Sequence, residues 1–174
     1  MPRYIALLRA INVGGHVVKM EKLRQLFGEL GFSKIETFIN SGNVIFDSRS
    51  ADCAALEKKI EKHLEVALGY PVAAFLRTPA ELATICEHRP FADAPMFHIG
   101  FLVQPLADGA RDALLKLQSQ DNLLHVHGRE IYWLTRVGQA QSKFNNAVCE
   151  RAIEARATFR NINTVSKLAE KYST

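Results

Sequence analysis

Apolar residues recur along this chain in two alternating periods, one suited to strands and one to helices. Arg3–Arg9 contains Tyr4-Ile5-Ala6-Leu7-Leu8, a short apolar run that reads as a buried strand. A loop, Ala10–Lys19, follows and holds the pair Gly14-Gly15. Met20, Leu23, Leu26, Phe27 and Leu30 then fall at helical spacing, with Gly31 where a C-terminal cap belongs. Lys34–Ile39 and Val44-Ile45-Phe46 read as two strands. The turn residues Asn40-Ser41-Gly42-Asn43 between them predict a hairpin. Leu56, Ile60, Leu64, Ala67 and Leu68 mark a second amphipathic helix closed by Gly69, and Val72–Leu76 is a fourth strand. The order is βαββαβ.

Thr78-Pro79-Ala80-Glu81 has the composition of a helix start, with a Thr cap, Pro at the first helical position and Glu behind it. It opens a short helix that runs through Leu82 and Ile85 to about Glu87. The Pro-bounded stretch Arg89–Pro95 is loop-like and marks a boundary. The same element order then returns. Phe97–Val103 reads as a strand, Asp108–Leu117 as a helix with Leu114 and Leu117 inward, and Leu123–Val126 and Glu130–Leu134 as a hairpin around His127-Gly128-Arg129. Lys143–Ile153 is a helix on Phe144, Val148 and Ala152, Ala157–Phe159 a short strand, and Asn163–Lys171 a last helix.

The topology repeats although the sequence does not. βαββαβ is the split unit of the ferredoxin-like fold, an antiparallel sheet with both helices on one face. The chain is therefore expected to be α+β: two tandem ferredoxin-like units joined by a short helix and a Pro-rich loop, with an extra C-terminal helix. The expected divisions are 1–77, 78–95 and 96–174. The sheet face without helices needs cover, and two units in one chain can supply it to each other or join edges.

Composition narrows the class. The 174 residues are 48% apolar and 23% charged, which suits a globular protein and excludes disorder. The net charge of +4 is far below that of a protein that coats DNA. Three widely spaced cysteines are no disulfide scaffold and favour a reducing compartment. Arg9 cuts the first apolar run too early for a signal peptide. The longest uncharged apolar run, Met96–Ala107, contains Pro105 and is well short of the roughly 18 residues that span a bilayer. A cytoplasmic protein with no membrane partner is expected.

Three segments crowd polar residues and glycines beside strand ends. The first is Arg9-Ala10-Ile11-Asn12-Val13-Gly14-Gly15-His16. A strand entering a Gly-rich loop and then a helix can turn backbone N–H groups toward an anion, with Arg9 as a fork and Lys19 as a point charge. Its spacing is neither a P-loop nor a dinucleotide fingerprint, and a solvated connection would look similar. The second, Asn40-Ser41-Gly42-Asn43, is a hairpin turn whose Asn side chains could also read a base edge or a sugar. The third runs from Arg156 through Arg160-Asn161-Ile162-Asn163-Thr164 to Lys167. It places Arg160 and Asn161 between a strand and a helix, with Asn163 or Thr164 as the cap. Capping leaves Arg160 unexplained.

Charge gathers at the same places. Met1–Arg24 carries five basic side chains against Glu21, and Ser142 to the end carries six against three acidic ones. Other chemistry is thinner. His125 and His127 share a face of one strand, and His98 is the third histidine that could join them on zinc. No acidic or Cys partner lies near in sequence, so no metal and no cofactor is expected. Cys53, Cys86 and Cys149 fall on helices as structural thiols, and Trp133 reads as core.

The clusters also carry a family resemblance. Leu7-Leu8-Arg9-Ala10-Ile11-Asn12-Val13-Gly14-Gly15, Phe38-Ile39-Asn40-Ser41-Gly42-Asn43-Val44-Ile45-Phe46 and Ala157-Thr158-Phe159-Arg160-Asn161-Ile162-Asn163-Thr164-Val165-Ser166-Lys167-Leu168 resemble the motifs of the bacterial family called domain of unknown function 1697. The resemblance extends over essentially the whole chain. Ala10 stands where the family usually has Gly, and Ile162 where it often has Trp. The resemblance implies paired ferredoxin-like units and no particular activity. It strengthens the choice of Arg9, Asn12, Gly14, Gly15, Asn40, Ser41, Gly42, Asn43, Arg160, Asn161, Asn163, Thr164 and Lys167 as ligand-binding candidates.

The reading favoured by these residues is a small phosphate-bearing or other anionic ligand, with Arg9, Arg160 and Lys167 as its charges and Asn12, Asn40 and Asn43 reading its polar remainder. Nucleic-acid binding through the basic termini is an alternative. So is an enzyme acting on a phosphorylated or nucleotide-like substrate, for which His16 is the only general base within a cluster. An interaction role through an open sheet edge is a further one. Ligand identity, oligomeric state and whether the clusters meet are left open by the sequence.

Overall fold

In the computed structural model, which describes residues 1–9, 17–38, 42–91, 94 and 96–172, the element order is that expected from the apolar pattern. The elements are β1 (Arg3–Leu8), α1 (Met20–Glu29), β2 (Ser33–Thr37), β3 (Asn43–Asp47), α2 (Cys53–Leu68), β4 (Ala74–Arg77), α3 (Pro79–Glu87), β5 (His98–Phe101), α4 (Asp108–Leu115), β6 (Asn122–His127), β7 (Glu130–Thr135), α5 (Asn146–Ile153), β8 (Thr158–Asn161) and α6 (Ile162–Lys171). They form two four-stranded sheets, ordered β2-β3-β1-β4 and β6-β7-β5-β8, with antiparallel pairing throughout. Both orders are that of the ferredoxin-like unit. The fold is α+β, built from two such units. By compactness the chain divides into Met1–Leu82 with Leu168–Thr174, and Ala83–Lys167.

In the first unit, α1 and α2 cover one face of the sheet. Leu23 and Phe27 of α1 and Leu56, Ile60 and Leu64 of α2 pack with Tyr4, Ala6, Leu8, Val44, Phe46 and Leu76. Phe32 stacks on Phe46 with centroids 4.3 Å apart. Asp52 caps α2 by accepting the Ala55 amide at 3.1 Å, and Gly69 ends it in the left-handed region at φ 84°. Ile5, Leu7 and Ile45, on the other face, are also fully buried.

The second unit repeats the scheme with different side chains. Leu114 of α4 and Phe144, Cys149 and Ile153 near and within α5 pack on Leu124, Val126, Ile131 and Trp133. Trp133 is core, as expected, and its Nε1 donates to Asn122 Oδ1 at 2.8 Å. Thr78 and Glu81 form the expected capping box of α3: Glu81 N–H donates to Thr78 Oγ1 at 3.1 Å, and Thr78 N–H to Glu81 Oε1 at 2.9 Å.

Several boundaries differ from the sequence reading, and three of them have a clear local cause or bear on the candidate residues. α5 starts at Asn146 rather than Lys143, because the Asn145 side chain caps it by accepting Val148 N–H at 3.0 Å. β8 runs on to Asn161, so Arg160 and Asn161 are strand residues rather than connecting ones. α6 follows without a gap, and its cap is Asn161, whose Oδ1 accepts Thr164 N–H at 2.8 Å. Neither Asn163 nor Thr164 has that role. Among the described residues no helix is long and apolar enough to cross a membrane.

Gly100 sits at the tightest point of the second sheet. It pairs with Phe159 across β5 and β8, and a Cβ at Gly100 would lie 2.6 Å from a Phe159 ring carbon. The ring is held by Trp133 and Phe144 at centroid distances of 5.9 and 6.2 Å. Gly100→Ala is therefore expected to destabilise the protein by about 1–3 kcal/mol, a Tm loss of roughly 2–10 °C in thermal unfolding. Paired with Phe159→Leu, which makes room, it should cost less than it does alone.

Candidate functional site

Arg9 follows the central strand β1, and hydrogen bonds fix where it leaves the sheet. Leu8 N–H donates to the Gly42 carbonyl at 2.8 Å, and Arg9 N–H to the Ala73 carbonyl at 2.9 Å. The register pairs Leu7 with Asn43 and Leu8 with Ala74. The end of β1 thus lies between the starts of β3 and β4. Of the first two polar clusters, the described members Arg9, Gly42 and Asn43 lie at this same end of their sheet. Arg9 is half-buried and Lys19, just before α1, is exposed. Asn12, Gly14, Gly15 and His16 of the first cluster, and Asn40 and Ser41 of the second, lie outside the described residues.

Asn43 is buried, and its side chain closes the hairpin. Its Nδ2 donates to the Phe38 carbonyl at 3.0 Å, while Phe38 N–H donates to the Asn43 carbonyl at 3.2 Å. Its carboxamide nitrogen therefore frames the turn. Lys171, which the sequence reading passed over, stands at the same hairpin. Its Nζ lies 4.7 Å from the Phe38 ring centroid, and Tyr172 meets the same ring edge-on at 6.2 Å. Nothing local in sequence connects Lys171 with Phe38; the last turn of α6 brings them together.

The third cluster occupies a different strand end within its own unit. β8 pairs with β5 so that Asn161 faces His98 and Arg160 faces Ile99, at the start of β5 rather than its end. Arg160 folds back along its strand, with Nη1 donating to Thr158 Oγ1 at 2.8 Å and to the Phe159 carbonyl at 3.0 Å. Burial draws its guanidinium down to about 10, so it stays charged at neutral pH. Asn163 and Lys167 are exposed on α6, and Thr164 is half-buried. Arg156 parts from this group and lines an apolar groove of about 330 Å³ with Leu102, Leu106, Ala110 and Ile153.

The histidines regroup. His98 lies against Trp133 at a centroid distance of 5.0 Å, and burial lowers its pKa. The histidine that joins His125 and His127 is His88, just after α3. Cys149 is buried, and burial pushes its thiol up to about 12, which leaves it inert as a nucleophile.

A sequence profile of the family described as "Protein of unknown function (DUF1697)" matches residues 1–132. The chain belongs to this family. The DUF1697 match contains the Arg9 and Asn43 segments and ends before the Arg160 segment. No curated protein matches the chain. Among solved structures, the chain is similar to the conserved bacterial protein SP0830 from Streptococcus pneumoniae, with 26% identity over 100% of this chain and 99% of that one, at a TM-score of 0.73. Ile162, beyond the matched residues, is buried, so in this chain the position serves packing rather than an exposed stacking surface.

The capping assignment separates two neighbouring asparagines. Asn161→Ala should cost about 1 kcal/mol, whereas the exposed Asn163→Ala should stay within roughly 0.5 kcal/mol of the parent. Chemical denaturation of both variants measures the difference.

Proposed function

We propose that this DUF1697 protein binds a small phosphate-bearing or other anionic ligand at the end of β1. The observation that carries the reading is the pair of main-chain bonds from Leu8 to Gly42 and from Arg9 to Ala73. They hold a guanidinium-bearing residue at the mouth of a hairpin, at the sheet end that also carries Gly42 and Asn43. A guanidinium suits a phosphate or carboxylate because its N–H groups match two acceptor oxygens at once. Lys171 adds a second cation beside the Phe38 side of the hairpin. Gly14 and Gly15 follow in sequence, and glycine is the residue type that lets a backbone come close to a ligand. In this reading Arg160, Asn161, Asn163, Thr164 and Lys167 form a separate basic segment of the second unit, in which Asn161 is a helix cap. The thiols fit the reducing cytoplasm.

Thermal shift of the full chain against inorganic phosphate, pyrophosphate, nucleotides, sugar phosphates and short oligonucleotides, at two salt concentrations, tests the proposal. A ligand at 100 times its Kd stabilises by about 2.7 kcal/mol, or roughly 5–10 °C for a chain of this size. The expected result is a salt-tolerant shift with one small anion that Arg9→Ala removes and Arg160→Ala leaves in place. A shift restricted to oligonucleotides and lost at physiological salt would replace this reading with nucleic-acid binding. No shift with any small anion, or one that Arg9→Ala preserves, contradicts it.

A further inference from the structure

β6 is an edge strand of its sheet, and its two faces have opposite character. Leu124 and Val126 point into the core beneath α4 and α5. His125 and His127, two residues apart, therefore share the other face. Tyr132 on β7 pairs directly with His125 and occupies that same face. Its hydroxyl donates to the Ile85 carbonyl in α3 at 3.0 Å. That bond docks α3 on the sheet and sets His88, the next residue after the helix, over the two strand histidines.

The three rings converge. His88 Nε2 lies 3.0 Å from His125 Nε2, and the His88 and His127 rings stack with centroids 4.0 Å apart and planes 13° from parallel. One ring nitrogen from each histidine falls within 4.8 Å of the others. Two nitrogens bound at about 2.0–2.1 Å to one tetrahedral ion are about 3.3 Å apart. The His88–His125 pair is already near that spacing, and His127 is exposed, so its ring can turn inward without disturbing the core.

Two of the three rings bind protons less readily than an ordinary histidine. Burial foremost, then the neighbouring histidines, holds His88 below the usual histidine range. His125 is lowered by burial, by His127 and by Arg111. Three imidazoles with no carboxylate or thiol in the group form an all-nitrogen donor set, which suits Zn²⁺, Co²⁺, Ni²⁺ or Cu²⁺ and not Mg²⁺ or Ca²⁺.

We propose that His88, His125 and His127 form a binding site for one divalent transition-metal ion of the zinc class, with three imidazole ligands and a fourth position open to solvent. Tyr132 acts as a positioning residue, because it fixes the end of α3 that carries His88. The site belongs to the second unit and is independent of the anion reading for the end of β1. The signal in sequence was half present: the His125–His127 spacing names two ligands, and only the docking of α3 names the third.

The test uses the full chain without an affinity tag, stripped with a chelator. Zn²⁺ is titrated against a competing colorimetric chelator, and Co²⁺ is followed by its visible absorption. The expected result is uptake of one equivalent, with Co²⁺ bands typical of low coordination number. Loss of a supporting group outside the ligand set typically weakens metal binding by about 10–100-fold, so His88→Gln and His127→Gln should each weaken it at least about tenfold. His127→Gln alters an exposed side chain and should leave the metal-free Tm unchanged, which separates ligand loss from misfolding. His63→Gln, a histidine paired with Glu29 in the first unit, should leave affinity unchanged. Failure to saturate at one equivalent overturns the proposal. So does Zn²⁺ affinity that survives both His88→Gln and His127→Gln, or that falls equally in His63→Gln.

Discussion

A strand buried on both faces has no water to turn to, so each of its backbone groups must be satisfied within the sheet. β1 is such a strand: Tyr4 through Leu8 are all buried, and Ile5, Ala6 and Leu7 are wholly inaccessible. β3 and β4 flank it in register, and pairing continues past the strand through Leu8–Gly42 and Arg9–Ala73. The position of Arg9 is a consequence of that demand. The edge strand meets the same requirement differently. The amides of Ala74 and Leu76 donate to Glu61 Oε2 at 2.8 Å and Glu57 Oε2 at 3.0 Å, both on α2. Four residues of helix rise about 6 Å, and two residues of strand about 6.6 Å, so carboxylates at helical spacing meet alternate strand amides. In the second unit Glu150 of α5 does the same for Ala157 N–H at 2.8 Å, just before β8. Helices that supply the core thus also occupy edge amides that could otherwise recruit another strand.

Much of this was legible in the sequence because the signals were redundant. The apolar run of β1, the periodic leucines of α1 and α2, the glycines that end them and the Thr78–Glu81 box each specify an element locally, and the structure contains each one. What failed to show were features set by tertiary partners. Asn161 and Asn163 are equally good caps on paper; the length of β8 decides between them, and strand length depends on pairing with β5. The sequence offered His98 as the third histidine and passed over His88, which only the docking of α3 through the Tyr132–Ile85 bond brings to the pair. The bond from Asn43 to Phe38 cannot be inferred from a turn motif.

The two units share a topology and differ in their chemistry. The first places Arg9, Gly42 and Asn43 at one strand end, with Lys171 over Phe38 on the other side of the hairpin. In the second, the corresponding end of β5 opens on an apolar groove lined by Leu102, Leu106 and Arg156. Its polar residues lie instead at the start of β5 and on the outer face of β6. The repeated fold therefore does not imply a repeated site, and membership of DUF1697 brings no activity with it. What the chain binds has to be argued from each constellation of side chains on its own terms.

The proposed function rests on an anion site at the end of β1. Backbone amide resonances followed by NMR through a titration with inorganic phosphate test it most directly. The claim predicts saturable shifts centred on Leu8, Arg9, Gly42 and Asn43, with little change along Arg160–Lys167. Shifts that rise without saturation across the basic surface, or that centre on Arg160–Lys167 while the end of β1 stays still, would contradict it.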